Sequence, residues 1–319
     1  MRLIGSEEIG RALPMGAAIA AMREAFAARV EGRADEPPRT VLHTGSTHGA
    51  TLVMPAALDV GDAPLLVVKV VSVFPANREK GMASIHGTVI AVEAETGSPI
   101  AMLDGASLTA IRTAAACGLA TDLLARRDSA VLAVFGSGVH ARTQVQAMRE
   151  VRSIQEVRIY NPNVESAEVM AAELAGRAAS TCRFRVADSP ASALAGADIA
   201  CAATTSRVPV FEDAAVPDGL HINAIGSFHA TDREVPGATV ARAGVFVDDR
   251  EAALEEAGDL IMAIREGVIE AGHIRSDLGS LVLGKANGRR SDDEVTFFKS
   301  VGLAVQDAAA TQAVLRAVR

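Results

Sequence analysis

Tryptophan is absent from the chain, tyrosine occurs once and cysteine three times, and the net charge is −8 over 319 residues. With few aromatic platforms and no positive excess, the sequence offers neither a base-stacking surface nor the basic face that nucleic acid requires. No run of 18 uncharged apolar residues occurs, so no transmembrane helix is expected. Glu7, Glu8 and Arg11 precede any apolar run, which is unlike a secretory leader and points to a cytoplasmic protein. Cys117, Cys182 and Cys201 lack metal-type spacing or a pairing pattern. They read as reduced packing residues, and no metal site is expected.

Among the features present, the apolar run 131–135 leads directly into Gly136-Ser137-Gly138-Val139-His140-Ala141, and then into a helix-like stretch, 143–150. Strand, glycine turn and helix N-terminus follow in the order that a dinucleotide pyrophosphate needs. Gly136 permits the tight turn, Gly138 admits close backbone approach to the phosphates, and Ala141 lets helix and strand pack. The first helical N–H groups and the positive end of the helix dipole favour the anion.

From residue 130 onward, short apolar runs alternate with helical or turn segments, at 131–135, 156–160, 184–187, 199–203, 221–225 and 245–247. This rhythm predicts a doubly wound α/β segment with a parallel sheet buried on both faces. The preceding part differs: an Ala-rich helix over 16–30 and strands over 51–55, 65–74 and 84–93 predict a mixed, largely β domain. A helix over 107–125 links the two, and helices are expected over 259–271 and 294–317. The expected division is 1–118 plus 296–319 for the first domain and 119–295 for the dinucleotide domain. Such a length suits two domains.

Three cations need a reason. Lys69 interrupts the apolar strand 65–74, and alternation places it with Val67, Val71 and Val73 rather than on a polar face. An unpaired buried ammonium costs several kcal/mol, so Lys69 must snorkel, lose its proton or meet an anion. Arg112 lies in an apolar helix where positions 108, 109, 115 and 116 are Leu, Thr, Ala and Ala. Its partner must therefore come from elsewhere. Arg39 stands where an extended segment enters the first domain. Together the three would grip a small carboxylate, the arginines as planar forks and the lysine as a point charge able to handle a proton.

Several stretches, in this order, give the chain a resemblance to the ornithine cyclodeaminase/mu-crystallin family over nearly its whole length: 68–77 around Lys69, 92–97, 110–115 around Arg112, Gly136-Ser137-Gly138, and 222–227. The resemblance implies a Rossmann domain inserted into a substrate-binding and dimerisation domain, hence a homodimer. It also implies reaction at the α-carbon of a small amino or imino acid whose carboxylate is held by Arg39, Lys69 and Arg112. The cyclodeaminase branch carries an aspartate where this chain has Phe228. Asp232 and Glu234 are similar to a pattern in the ketimine-reductase branch, with Thr231 in place of its proline.

The expected activity is therefore hydride transfer to C2 of a cyclic imino acid, Δ1-pyrroline-2-carboxylate or Δ1-piperideine-2-carboxylate, with Lys69 as the catalytic residue. Ornithine cyclodeamination, alanine dehydrogenation and non-catalytic NADP(H) binding are the alternatives. His86 and His229 are secondary proton-donor candidates. The coenzyme is NADPH or NADH. Strand 157–160 ends at Asn161 where NAD-preferring domains place an acid, and Arg142 could approach, so the expectation leans to NADPH. By similarity to the family, Thr113, Thr204, Ser227 and Gly302, in a helix spanning Lys299, complete a coenzyme site built on Gly136, Ser137, Gly138, Val139, His140 and Asn161.

Overall fold

The structure, a computed structural model, describes residues 1–44, 49–61, 64–177, 182–227 and 229–318. The chain divides into two units, Met1–Arg112 with Gly302–Arg319, and Thr113–Val301. One division falls within the helix Gly105–Leu124.

The first unit contains a seven-stranded sheet formed by β1 (Arg2–Ile4), β2 (Ala34–Asp35), β3 (Thr40–Thr44), β4 (Gly49–Leu58), β5 (Leu65–Val73), β6 (Ile85–Glu93) and β7 (Pro99–Asp104). The order is β1-β7-β6-β5-β4-β2, with β3 also on β4, and all pairs except β1–β7 are antiparallel. Alternation along β5 buries Leu65, Val67, Lys69 and Val71 on one face. The helix Ala304–Ala317 covers that face, packing on β4 and β5 and against the helix Met15–Val30. It buries every residue from Ala304 to Thr311, so its own surroundings are dry on nearly all sides.

The opposite face of this sheet carries Leu42, Val53, Val68, Val70 and Ile90, interspersed with Thr40, Thr51, Ser72 and Thr88 in the strand register. Leu42 is 55% and Val70 38% exposed. Apolar strand positions that face outward suit a surface used for association.

The second unit contains eight parallel strands: β8 (Val131–Phe135), β9 (Glu156–Tyr160), β10 (Arg183–Val186), β11 (Ile199–Ala202), β12 (His221–Ala224), β13 (Gly244–Val247), β14 (Ile274–Asp277) and β15 (Thr296–Lys299). Their order is β10-β9-β8-β11-β12-β15-β13-β14. The chain turns one way from β8 through β9 and β10 and the other way from β11, so a topological switch point lies beside β8. β11, β12, β13 and β15 are buried throughout, as central strands of a parallel sheet covered on both faces require. The fold is mixed α/β with this Rossmann-type sheet inserted in the sequence of the first unit.

Residues 294–317 do not form the single helix expected. Thr296–Lys299 is a strand between β12 and β13, Gly302 then turns the chain with φ +80°, and the helix begins at Ala304. Four residues centred on Phe297-Phe298 carry no periodicity that separates a buried strand from a helical turn. The pairing of β15 keeps this strand in the second unit, and the divisions fall at Arg112/Thr113 and Val301/Gly302. The expected helix 259–271 is Gly258–Arg265, ending before Gly267 at φ +71°. Among the described residues, no helix is long and apolar enough to cross a membrane.

Candidate active site

In the first unit, the C-terminal helix answers the puzzle of the buried cations. Lys69 is 1% and Arg112 5% exposed. Lys69 Nζ lies 2.6 Å from Asp307 Oδ2, an ion-pair contact off the line of a hydrogen bond. Arg112 Nε donates to Asp307 Oδ1 at 3.1 Å, and Arg112 Nη1 donates to Gln306 Oε1 at 2.8 Å. Asp307 is fully buried, so one carboxylate bridges two cations out of water.

Arg39 reaches the same helix start by donating from Nη2 to the carbonyl oxygen of Gly302. Its segment is fixed by Glu36, whose Oε2 accepts from Val305 N at 2.9 Å and whose Oε1 accepts from Arg29 Nε at 2.6 Å. Gly302 is required here. A Cβ would stand 2.7 Å from Arg112 Nη1, and the positive φ disfavours any other residue. Two buried cations, Lys69 and Arg112, thus share the Asp307 carboxylate, with Arg39 at the start of the same helix. Burial and the neighbouring Arg112 charge lower Lys69 from the ordinary 10.5 to about 7, against the opposing pull of Asp307.

Gln306 adds a further polar group. Its Oε1 accepts from both Leu303 N, at 2.9 Å, and Arg112, while its buried Nε2 has no partner among the described residues. A cationic cluster with a spare buried donor is suited to a small carboxylate. Sequence reasoning missed Asp307 and Gln306. A signal was present, since Asp307 is an isolated acid between Ala304-Val305 and Ala308-Ala309-Ala310 in the first turn of an otherwise apolar helix.

His86 does not join this cluster. It pairs with Ser72 in the β5–β6 register, on the face opposite Lys69, and is exposed.

In the second unit, Gly136 follows β8 with φ +100°, and a Cβ there would lie 2.5 Å from the Ala203 carbonyl oxygen. Gly138 caps the helix Val139–Val151 without a side-chain hydrogen bond, and a Cβ added to it would meet no protein atom within 4 Å. The chain's own packing therefore does not demand a glycine at 138. An anion seated on the first N–H groups of this helix would demand one. Val139 is 66% exposed at this edge, while Ala141 is buried against the sheet. Asn161 Nδ2 donates to Ser137 Oγ at 2.6 Å, tying the glycine turn to the end of β9. These residues fit a dinucleotide.

Two buried networks shape the loops after β11 and β12. Glu234 is fully buried and accepts from Thr204 N and Oγ1, both at 2.7 Å, and from Gly226 N at 2.6 Å. Burial pushes its carboxyl up from the ordinary value. Ser227 Oγ donates to Asp259 Oδ2 and accepts from Lys299 Nζ at 2.8 Å, and Lys299 Nζ lies 2.8 Å from the same carboxylate oxygen. Thr204 and Ser227 are therefore fixed by acids that the glycine motif does not reveal. Lys299 ends a strand rather than lying in a helix. Gly302 belongs with the arginines in the first unit, and Thr113, nearly buried, begins the second. His229 is exposed in the loop after β12, and Asp232 lies 3.9 Å from Arg207. Phe228 lies outside the described residues. Arg142 is engaged: its Nε pairs with Glu173 Oε2 at 2.7 Å and its Nη1 donates to the Ser137 and Gly138 carbonyls.

Fold and residues together define a Rossmann-type dinucleotide-binding architecture and a first unit in which two buried cations share one carboxylate. The chain belongs to the ornithine cyclodeaminase/mu-crystallin family, whose sequence profile matches residues 3–319. It is 38% identical to a Δ1-pyrroline-2-carboxylate reductase of Bacillus cereus, covering 96% of this chain and 93% of that protein. The structure of Thermococcus litoralis Δ1-pyrroline-2-carboxylate reductase in complex with NADH and L-proline is similar with a TM-score of 0.96 at 36% identity, covering 100% of this chain and 97% of that one. An archaeal alanine dehydrogenase, a dimer with bound NAD, follows at 0.92 and 32%, covering 100% and 96%.

Proposed function

We propose that this protein reduces a small cyclic imino acid, Δ1-pyrroline-2-carboxylate or Δ1-piperideine-2-carboxylate, to the L-amino acid. The observation that carries the reading is the buried pair of Lys69 and Arg112 on Asp307, with Arg39 at the start of the same helix. Two buried cations share that one carboxylate, so a substrate carboxylate completes their charge balance. The Bacillus cereus and Thermococcus litoralis relatives support imine reduction by what their names and ligands record.

Arg39 and Arg112 hold the substrate carboxylate, and Gln306 Nε2 supplies a further donor. Fixing that group orients C2 and the imine nitrogen, which lowers the entropic part of the barrier. Lys69, lowered to about 7 in the free chain and protonated once the substrate carboxylate docks, passes a proton to the imine nitrogen. A reduced nicotinamide dinucleotide supplies the hydride that C2 accepts, so the C=N bond becomes CH–NH. The Gly136–Gly138 turn receives its pyrophosphate, with Ser137, Val139, His140, Asn161, Thr113, Thr204 and Ser227 around it. Glu234 positions Thr204 and Gly226 rather than touching the reacting atoms. Phe228 stands where the cyclodeaminase branch has its acid, which disfavours ornithine as substrate. The exposed apolar face of the first sheet is suited to a second copy, making the protein a homodimer.

The test is oxidation of NADH and of NADPH with each imino acid, and separately with pyruvate plus ammonia, followed by product identification. Proline or pipecolate formation supports the reading. Turnover only with pyruvate and ammonia makes the protein an alanine dehydrogenase instead.

A further inference from the structure

We propose that Glu165 and Glu173 make the dinucleotide site select NAD(H) over NADP(H). The inference rests on the reading of the Gly136–Gly138 turn as a dinucleotide site. In doubly wound folds the adenosine ribose 2′ position lies beyond the end of the second strand, here β9. Beside that end the structure has a recess of about 230 Å³ lined by Ser137, Arg142, Glu165, Ser166 and Val169.

Coenzyme choice at this place is a question of charge, since NADP(H) brings a phosphate and NAD(H) a hydroxyl. Arg142 is the cation lining the recess, and Glu173 already pairs with its Nε at 2.7 Å. Its Nη1 is turned to the carbonyl oxygens of Ser137 and Gly138, which fixes the guanidinium against the glycine turn. Glu165 lines the same recess with a second carboxylate. Glu173 thus engages the cation of the lining and Glu165 adds a carboxylate to it, an arrangement that repels a phosphate and suits a hydroxyl donor.

The helix Val164–Arg177 begins here, and its N-terminus would otherwise attract an anion. Asn163 Oδ1 accepts from Ser166 N at 2.9 Å, which occupies one of its first N–H groups, and Glu165 in the first turn offsets the helix dipole. Asn161 cannot replace these acids. It is neutral, and its side chain is held against the loop by Nδ2 donating to Ser137 Oγ and Oδ1 accepting from Asn163 N at 2.9 Å. The acid that NAD-selective folds usually place at the end of the second strand is thus supplied from the following helix.

The experiment measures dissociation constants of NADH and NADPH by calorimetry for the unaltered protein, Glu165→Gln, Glu173→Gln and the double variant. The unaltered protein should bind NADH at least about tenfold more tightly, and each single variant should narrow that ratio by about tenfold, the effect of one like charge near a phosphate at a solvated site. In the double variant Arg142 is released and NADPH should bind the more tightly. Equal or tighter NADPH binding by the unaltered protein, or a ratio unmoved in both single variants, overturns the proposal. Binding of neither coenzyme overturns the dinucleotide reading itself, a result distinct from loss of selectivity.

Discussion

Docking of a carboxylate in the first unit should draw a proton onto Lys69, and Asp307→Asn should move the pH at which this happens. Burial and Arg112 hold Lys69 near 7 in the free chain, so about nine in ten molecules carry it neutral at pH 8. A carboxylate docked about 4 Å away, at an effective dielectric constant of about 20, attracts the protonated form by about 4 kcal/mol. At about 1.4 kcal/mol per tenfold, this raises Lys69 by about three pH units, to about 10. Binding at pH 8 should therefore take up about 0.9 proton, and binding at pH 6 only about 0.1. The sign follows: the complex binds more protons than the free chain, so carboxylate affinity falls as pH rises above about 7.

Calorimetric titration with cyclopentanecarboxylate, which has no second titrating group, reads the uptake from the dependence of heat on buffer ionisation enthalpy. Asp307 opposes the lowering of Lys69, so its amide lets Lys69 fall further and shifts the window of uptake to lower pH. Removing one member of a buried ion pair also destabilises by about 3–5 kcal/mol, so a melting curve accompanies the titration. A heat independent of buffer at pH 8, or an uptake profile identical in Asp307→Asn, would refute the coupling. A purely structural Asp307 would change the melting curve and leave the uptake profile where it was.

Lys69→Met should lower turnover by about 10²–10⁴ while leaving NADH affinity unchanged, the range expected for loss of a proton donor; steady-state kinetics beside a coenzyme titration check it. Gly136→Ala should abolish coenzyme binding, because a Cβ must enter at 2.5 Å from the Ala203 carbonyl oxygen at φ +100°. Unchanged affinity in that variant would mean that the turn is not the phosphate site. Val70→Lys places a charge on the exposed apolar sheet face, and light scattering should report a dimer for the unaltered chain and a monomer for the variant. A dimer in both would place the interface elsewhere.

The fold class and the glycine turn were legible because their signals are local. A short apolar strand, a turn and a helix start lie within twenty residues, and Lys69 declares its burial by simple alternation with Val67 and Val71. The need for a partner for Arg112 was also legible, though not its identity. Asp307 is 195 positions away from Arg112 in the chain, and only tertiary packing brings the C-terminal helix onto β5. β15 was read as helix because four apolar-centred residues carry no usable period. Glu234 was legible only through the family resemblance, and its acceptance from Thr204 and Gly226 spans two strand ends that only tertiary packing brings together. Gly302 was assigned to the coenzyme by resemblance, whereas its missing Cβ makes room for Arg112. The leaning to NADPH counted Arg142 as available, and the pairing with Glu173 removes that ground.

The central claim is hydride delivery to C2 of a cyclic imino acid by this chain. Turnover of Δ1-pyrroline-2-carboxylate with NADH deuterated at the transferring C4 position, followed by mass spectrometry of the proline formed, tests it directly. The account predicts one deuterium, at the α-carbon, and its loss in Lys69→Met together with product formation. Proline without deuterium, or no proline with either reduced coenzyme, contradicts the account.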